Sequence, residues 1–260
     1  MKTINKFYLP AVLLIMQIAI AYPVLAQDDS EKLDKIRSES GVDPTRVMSR
    51  AGYTLLIYDL PADDGQINNR LSLNLGVNRW SFSAKYDLVM KRSTEAGVGF
   101  NSGFGDMKFS VLNAFFVKGK NALAGAVEFS LPSGKEGISS QYFTATPSLT
   151  YSYTINPTLF FAVQPQFTFD LMKDPMYPSL RILTVRTFLA KFTRTGYFFV
   201  FEPRPIVDFE NDDFDLIISP IIGKALGGGF NLIGLAEIPT SKSGIDKFGV
   251  LYQFGFNKSF

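Results

Sequence analysis

The stretch of sequence that decides the fold is KFGVLYQFGFNKSF, residues Lys247 to Phe260. Apolar and aromatic side chains occupy alternate positions of this stretch, and most of the positions between them are small or polar. Successive side chains of a β-strand point to opposite faces, so the alternation predicts a strand with one aromatic face and one small, mostly polar face. The aromatic face consists of Phe248, Val250, Tyr252, Phe254, Phe256 and Phe260.

An aromatic residue at the tip of such a strand resembles the closing strand of bacterial outer-membrane barrels, in which this terminus also directs assembly. The resemblance implies that the barrel assembly machinery recognises Phe260. An ordinary strand of a soluble β-sandwich, with one face buried, shows the same alternation. The rest of the chain therefore has to distinguish a barrel from a sandwich.

The N-terminal residues 1–26 have the pattern of a secretory signal peptide. Two lysines among the first six residues precede an apolar run from Ala11 to Ala21, and small residues form a cleavage site that ends at Ala26. The run is too short to cross about 30 Å of hydrocarbon, and no later segment has the ~18 consecutive apolar residues of a spanning helix. If this chain lies in a membrane, strands must cross it.

The composition excludes several classes of function. The chain has 26 Lys+Arg and 24 Asp+Glu, and loss of Lys2 and Lys6 with the signal peptide leaves 24 of each, so no nucleic-acid partner is predicted. The absence of cysteine means that no disulfide holds the fold together. The absence of histidine removes histidine-activated nucleophiles and the imidazole ligands of zinc. We therefore predict no enzymatic activity, no metal and no cofactor.

From Gly52 onward, alternating runs and breaks predict twelve strands. Tight breaks and longer polar breaks follow each other in turn, as short periplasmic turns and longer external loops do in bacterial barrels. We therefore predict an all-β fold, a transmembrane antiparallel up-and-down β-barrel of about twelve strands, within residues 51–260. The predicted strands are 52–60, 69–77, 80–91, 106–118, 122–131, 142–155, 158–171, 180–192, 197–209, 214–224, 230–240 and 247–260.

Residues 27–50 form a polar segment of mixed charge between the signal peptide and the barrel. Leu33 and Ile36 allow about two turns of helix, which Pro44 would end. A disordered periplasmic leader is the interpretation that we favour for this segment. A short plug that enters the lumen is the alternative.

Charged and amide side chains fall mainly on the inward-facing positions of the predicted strands, because a charge at mid-depth in lipid costs about 2–4 kcal/mol. Strand 180–192 has charges at both parities, and we place Arg186 inward and Arg181 and Lys191 at the membrane interfaces. Opposite charges are expected to pair across the lumen and narrow it, either selecting a solute or only tying the wall together. The predicted pore-lining residues are Lys85, Asp87, Glu128, Gln164, Gln166, Asp170, Arg186, Glu202, Arg204, Asp208 and Glu237.

Three short motifs follow one another between residues 103 and 153: Gly103-Phe104-Gly105-Asp106, Leu131-Pro132-Ser133-Gly134 and Thr146-Pro147-Ser148-Leu149-Thr150-Tyr151. With these motifs the chain resembles the outer-membrane family named for the MetA pathway of phenol degradation. The resemblance implies a small outer-membrane channel for aromatic or other apolar compounds. The first two motifs also predict turns at the external strand ends, with Asp106 as a cap rather than a calcium ligand.

Several prolines fall inside predicted strands, where each removes a hydrogen bond from the ladder. Bulges, or strand segments beyond the bilayer, are the general explanation. The sharper hypothesis is a lateral seam, through which an apolar solute leaves the barrel sideways. The proposed seam residues are Pro203, Pro205 and Pro220, and the other prolines within strands are Pro147 and Pro165.

Together these patterns predict a channel in the outer membrane of a Gram-negative cell, for the passive uptake of small apolar or aromatic solutes. The expected partners are outer-membrane lipid, the barrel assembly machinery and the solute. Two alternatives stay open: a structural or partner-binding outer-membrane barrel with a closed lumen, and a soluble periplasmic β-sandwich that binds lipid.

Overall fold

The computed structural model describes residues 30–60, 65–92, 99–241, 244 and 249–260. The signal peptide and residues 247–248 of the C-terminal stretch lie outside the described residues. A helix, α1 (Ser30–Ser40), precedes twelve strands. These are β1 (Arg50–Asp59), β2 (Gly65–Val77), β3 (Trp80–Arg92), β4 (Phe100–Lys118), β5 (Asn121–Leu131), β6 (Tyr142–Asn156), β7 (Leu159–Lys173), β8 (Arg181–Phe192), β9 (Tyr197–Asp208), β10 (Asp213–Gly227), β11 (Phe230–Pro239) and β12 (Val250–Ser259). Within the described part of the chain, no helix is both long and apolar enough to cross a bilayer.

The strands form a closed barrel in which each pairs antiparallel with the next and β1 pairs with β12. The closing ladder runs from Arg50 opposite Ser259 to Asp59 opposite Val250 without a register shift. Closure removes the free sheet edges, whose unpaired backbone groups lipid could not satisfy. The predicted all-β, antiparallel, twelve-stranded barrel is confirmed.

Most strand ends lie within two residues of the prediction, but β2 and β4 begin earlier than expected, at Gly65 and Phe100. The polar residues of these extensions suggested loops. In the barrel their side chains bond to the neighbouring wall: Asn68, for example, donates to a carboxylate oxygen of Asp87 at 3.2 Å. A polar sequence therefore does not end a strand whose inner face is polar.

The tight turns at one end of the barrel contain residues with positive φ. Asn78, between β2 and β3, has a φ of 55°, and Gly119, between β4 and β5, has a φ of 58°. Two-residue turns of this conformation match the right-handed twist of the paired strands. The longer connections, including residues 132–141 and 174–180, lie at the opposite end.

The two faces of the wall follow the predicted parity. Large apolar side chains of alternate positions are exposed on the outside, among them Trp80 at 48% and Phe254 at 56% of their full accessible areas. On the inside, Asp87 and Val89 of β3 are buried. Such an outer band of aromatic and aliphatic side chains is typical of barrels that face lipid.

The interior is apolar at the tight-turn end and polar elsewhere. At the tight-turn end, side chains of α1 pack against inward-facing side chains of β7, β8 and β9. This cluster consists of Leu33, Ile36, Phe160, Ala162, Phe188, Ala190, Phe192, Phe198 and Val200. Because the strand residues of this cluster face inward, α1 lies inside the barrel at this end.

Candidate functional site

The segment that precedes β1, residues 30–49, is held inside the barrel by a buried ion pair. The Arg37 guanidinium donates to Asp43 at 2.6 Å and to the Thr154 hydroxyl of β6 at 2.6 Å. The same guanidinium lies 4.2 Å above the Phe160 ring. Burial lowers the pKa of Arg37, and the charge of Asp43 opposes this shift. The pair therefore joins α1 to the turn that follows it and to the wall.

Further hydrogen bonds tie this segment to other strands. Thr45 and Ser152 share a hydrogen bond of 3.1 Å between their hydroxyl oxygens. Asn231 of β11 and Ser259 of β12 both donate to the Glu39 carbonyl, at 3.0 and 2.9 Å. The described part of this segment thus packs on the wall, and its assignment as a periplasmic leader or a short plug stays a prediction.

A cavity of about 780 Å³ occupies the lumen beyond this segment. Residues 40–46 line its floor at the tight-turn end, and Tyr142 and Leu180 line it near the long connections. Most of the wall between them consists of hydroxyl and amide side chains, together with several charges. The hydroxyl and amide side chains of this wall are Thr54, Ser72, Asn74, Ser81, Ser83, Ser110, Ser130, Thr144, Thr146, Ser148, Gln164, Gln166, Thr168, Gln253 and Asn257.

One group of lumen charges joins β2 and β3. Arg70 donates two hydrogen bonds to Asp87, at 2.7 and 2.8 Å. Two parallel bonds between a guanidinium and a carboxylate fix both groups more strictly than a single contact does. The prediction placed Asp87 on the inner face but did not include Arg70.

A second group lies on β3, β4 and β5. The Lys85 ammonium donates to Glu128 at 2.7 Å, from β3 to β5. Lys108, on the intervening strand β4, pairs directly with Lys85 in the backbone register. All three side chains line the cavity.

A third group is centred on Glu202 of β9, whose side chain is fully buried. It accepts two hydrogen bonds from Arg186, at 2.6 and 3.1 Å, and two from Arg204, at 3.1 and 2.9 Å. Arg204 also donates to Glu237 of β11 at 2.9 Å. These ion pairs run along the wall between strands, whereas we expected opposite charges to pair across the lumen. The lumen is therefore not narrowed by a charged bridge among these groups.

The remaining residues of the predicted pore-lining set divide into two kinds. Gln164 and Gln166 line the cavity. Asp170 accepts a hydrogen bond from the Leu180 backbone amide at 2.6 Å, and Asp208 accepts one from the Asn211 side-chain amide at 2.8 Å. The first two therefore contribute to the wall, and the two aspartates hold the connections at the ends of their strands.

Asp106, from the first sequence motif, holds the connection between β5 and β6. Its carboxylate accepts hydrogen bonds from the Ser139 hydroxyl at 2.5 Å and from the backbone amides of Ser140 at 2.8 Å and Gly134 at 3.3 Å. The oxygens of Asp106 are thus used within the protein. This arrangement agrees with the expected capping role.

The same connection folds over the inner side of the barrel mouth. Gly103 pairs with Val89, whose buried side chain faces the interior. A Cβ atom added to Gly103 would lie 2.7 Å from the Cδ atom of Lys135, so the Lys135 side chain packs on the inner face of β4. Glycine at position 103 makes this close approach possible.

The prolines interrupt a ladder other than the one that we expected them to weaken. The β9–β10 ladder, which contains Pro203, Pro205 and Pro220, is continuous from Asp208 to Tyr197. The β8–β9 ladder instead lacks pairs between residues 185–188 and 202–205. Pro203 and Pro205 have no N–H to donate to β8, which accounts for this gap.

Sequence reasoning missed Arg70, Lys108 and the aromatic cluster beneath the cavity. Arg70 and Lys108 lie within the predicted strands 69–77 and 106–118 and share the parity of the inward serines there, so the parity rule applied to these two positions would have found both. A different pattern indicates the aromatic cluster. In the pairs Phe160-Phe161 and Phe198-Phe199, one aromatic residue takes an inward position that is polar elsewhere in the barrel. Apolar residues at both parities indicate that the inner face there is also covered.

A closed antiparallel barrel of twelve strands, with an aromatic outer face and a polar cavity, defines a transmembrane β-barrel fold. No known protein family matches the sequence, and no curated protein matches it. The resemblance to the family named for the MetA pathway therefore stays a prediction.

Several solved structures share the fold. One is the COG4313 outer membrane channel from Pseudomonas putida F1, with a TM-score of 0.61 and 10% identity over 82% of this chain and 96% of that chain. Another is the KdgM porin, with a TM-score of 0.57 and 11% identity over 81% of this chain and 99% of that chain. A third is the NanC porin, with a TM-score of 0.56 and 10% identity over 82% of this chain and 100% of that chain. At such low identities the likeness concerns the fold alone.

Proposed function

We propose that this protein is a non-enzymatic channel of the Gram-negative outer membrane, which lets small solutes pass passively after its signal peptide has been removed near Ala26. The observation that carries the proposal is the cavity of about 780 Å³ inside a closed barrel. Its wall carries hydroxyls, amides and charges that can replace the water around a passing solute. Its lipid-facing exterior is expected to be inserted by the barrel assembly machinery, which would recognise Phe260.

The names of the structural neighbours support a channel without establishing it. Two are named porins and one an outer membrane channel. This fold matches nearly the whole length of all three proteins, so this barrel has the same strand number and size as theirs.

The solute class follows from the wall of the cavity. The resemblance to the MetA-pathway family implies apolar or aromatic solutes, but the apolar cluster under α1 does not line the cavity. The cavity has hydroxyl or amide side chains on eight of the twelve strands, β1–β7 and β12, and these groups stabilise polar solutes. A smaller number of apolar side chains, among them Leu112, Ile233 and Phe256, also line it. We therefore propose small polar solutes as those that the cavity favours, with apolar or aromatic solutes as the second candidate.

The channel is tested by adding bulk to the inner or the outer face of one strand. Thr146 lines the cavity, whereas Leu149 of the same strand is half exposed on the outside. In planar bilayers, the mature chain should give steady single-channel currents that Thr146→Trp lowers severalfold and Leu149→Trp leaves unchanged. Equal effects of the two substitutions on the current would refute the proposal that the current passes through the lumen. Addition of ribitol or phenol to the same bilayers then shows which solute class blocks the current.

A structural or partner-binding barrel is the second candidate function. The observation that favours it is the packing of α1, with Leu33 and Ile36 buried in the tight-turn end of the lumen. If α1 never leaves this position, the path is closed at that end. Absence of current under all conditions, including after release of α1, would support this candidate over the channel.

A further inference from the structure

Two lysines face the cavity directly opposite each other on neighbouring strands. Lys85 of β3 and Lys108 of β4 are partners in the backbone register, and the side chains of both line the cavity. Side chains directly opposite in an antiparallel pair have Cβ atoms about 4.5–5.5 Å apart, and like charges at such positions destabilise the sheet. The charges of Lys85 and Lys108 therefore repel each other on this part of the wall, and an opposite charge must offset the repulsion.

The carboxylates nearby offset these charges only in part. Glu128 pairs with Lys85 at 2.7 Å, and Asp87 is occupied by Arg70. Lys108 has no carboxylate within 4.0 Å among the residues that the structure describes, and its other cross-strand neighbour is the neutral Ser130.

The group thus holds three cations, Arg70, Lys85 and Lys108, and two carboxylates. One positive charge remains, and it lies on the wall of a water-accessible cavity. In the partly enclosed lumen, attraction between this charge and an anion is weakened by solvent less than it would be on an open surface.

The surroundings of Lys108 add hydrogen-bonding groups that are not charged. Ser110 lies two residues further along the same face and shares a hydrogen bond of 2.6 Å with Ser83. Ser130 lies opposite Lys108 on β5. Hydroxyls both donate and accept hydrogen bonds, so they suit a ligand that carries hydroxyl groups of its own.

From this juxtaposition we propose that Lys85 and Lys108 form an anion-binding subsite in the lumen, which takes small hydroxylated carboxylates. The subsite rests on the proposed channel function, because it names the class of solute that the cavity would hold. The carboxylate of the ligand lies against the Lys108 ammonium and the hydroxyls of the ligand against the serines. The subsite makes the channel prefer anions to cations.

Ion selectivity gives the first test. In a tenfold KCl gradient across a planar bilayer, the mature chain should show a reversal potential of the sign expected for chloride preference. Lys108→Gln should lower the permeability ratio of chloride to potassium about threefold, because it removes one wall charge in a confined lumen. The matched control is Lys120→Gln in the exposed β4–β5 turn, which should leave the ratio unchanged. Cation preference in the unaltered chain, or the same ratio in the Lys108→Gln variant, would overturn the subsite.

A second test does not depend on conductance. The folded protein in detergent is acetylated with a limiting amount of acetic anhydride, and the modification of each lysine is measured by peptide mass spectrometry. Sodium gluconate at 10 mM should slow the acetylation of Lys108 about fivefold relative to Lys120, since a bound carboxylate covers the ammonium. Sorbitol, the uncharged relative of gluconate, should not slow the acetylation of Lys108. Equal rates with gluconate and sorbitol would overturn the subsite even if the channel conducts. Protection without any current would retain the subsite and refute the channel.

Discussion

Substitution of Glu202 by glutamine is expected to destabilise the barrel more than the loss of any other carboxylate in the ion pairs described between its strands. Glu202 is the shared acceptor of Arg186 and Arg204, and its side chain is only 1% exposed. Glutamine keeps the size of the side chain but carries one acceptor oxygen and two N–H donors. One guanidinium would then face donors instead of a carboxylate.

The size of the effect follows from the burial of the three groups. Removal of one partner of a buried ion pair costs about 3–5 kcal/mol, because the remaining charge stays buried without compensation. Here the Arg186 and Arg204 side chains are 32% and 15% exposed, so water screens part of the loss. We therefore expect Glu202→Gln to lower the free energy of unfolding by about 2–4 kcal/mol. When Glu237 is replaced, Arg204 retains its ion pair with Glu202. Glu237→Gln should therefore lower the free energy of unfolding by only about 0.5–1 kcal/mol.

The assay is unfolding by guanidinium chloride in lipid vesicles, followed by the fluorescence of Trp80, the only tryptophan in the chain. Trp80 lies on β3 and faces outward, so neither substitution touches it. A double variant, Glu202→Gln with Arg186→Gln, should recover about 1 kcal/mol relative to Glu202→Gln alone, because it removes one of the uncompensated charges. Equal stabilities of the Glu202→Gln and Glu237→Gln variants would refute the idea that Glu202 holds this part of the wall.

Three further results are expected. Asp106→Asn should raise the rate of tryptic cleavage after Lys135 about tenfold, because it weakens three hydrogen bonds to the β5–β6 connection, each worth about 1.5–3 kcal/mol when the acceptor is charged. Leu33→Asp should expose Arg37 to trypsin while the barrel stays folded, since a buried carboxylate replaces a side chain of the apolar cluster. Those backbone amides of residues 185–188 that point toward β9 should exchange hydrogen about tenfold faster than amides of the continuous β9–β10 ladder, because the β8–β9 ladder has its gap there while the pairing of these residues with β7 is unbroken.

Each of these experiments has a matched control in the same chain. Asp174→Asn changes an aspartate whose side chain accepts a hydrogen bond within its own connection, from the Met176 amide at 2.9 Å, and should leave cleavage after Lys135 unchanged. Lys32→Asp lies on the exposed side of α1 and should not release the helix. Equal exchange in the two ladders would show that the gap has no dynamic consequence and would remove the basis for a lateral seam beside Pro203 and Pro205.

The wall of the barrel was predictable because lipid imposes a simple rule on every strand. A charge that faces hydrocarbon is expensive, so inward and outward positions separate by parity, and Arg186 could be placed inward even in a strand of mixed pattern. The observed contact of Arg186 with Glu202 agrees with that placement. Strand ends were harder to predict, since polar residues such as Asn68 are equally suited to a loop and to a polar lumen.

The packing of residues 30–49 was not predictable from their own composition. Leu33 and Ile36 indicated about two turns of helix but not its partner, because they gain their burial from aromatic residues more than a hundred positions away, such as Phe160 and Phe192. Similarly, Arg37 and Asp43 pair only because Thr154 and the Phe160 ring complete their surroundings. Contacts of such long sequence separation leave no local pattern.

The proposed channel requires residues 30–49 to leave the tight-turn end of the lumen, and an engineered disulfide tests this requirement most directly. The hydroxyl oxygens of Thr45 and Ser152 are 3.1 Å apart, and the chain has no cysteine of its own. Thr45→Cys combined with Ser152→Cys should therefore form a bridge between this segment and β6. In planar bilayers the oxidised double variant should be silent and should open after reduction, while each single variant gives the same currents under both conditions. Identical currents from the oxidised and reduced double variant would contradict this requirement.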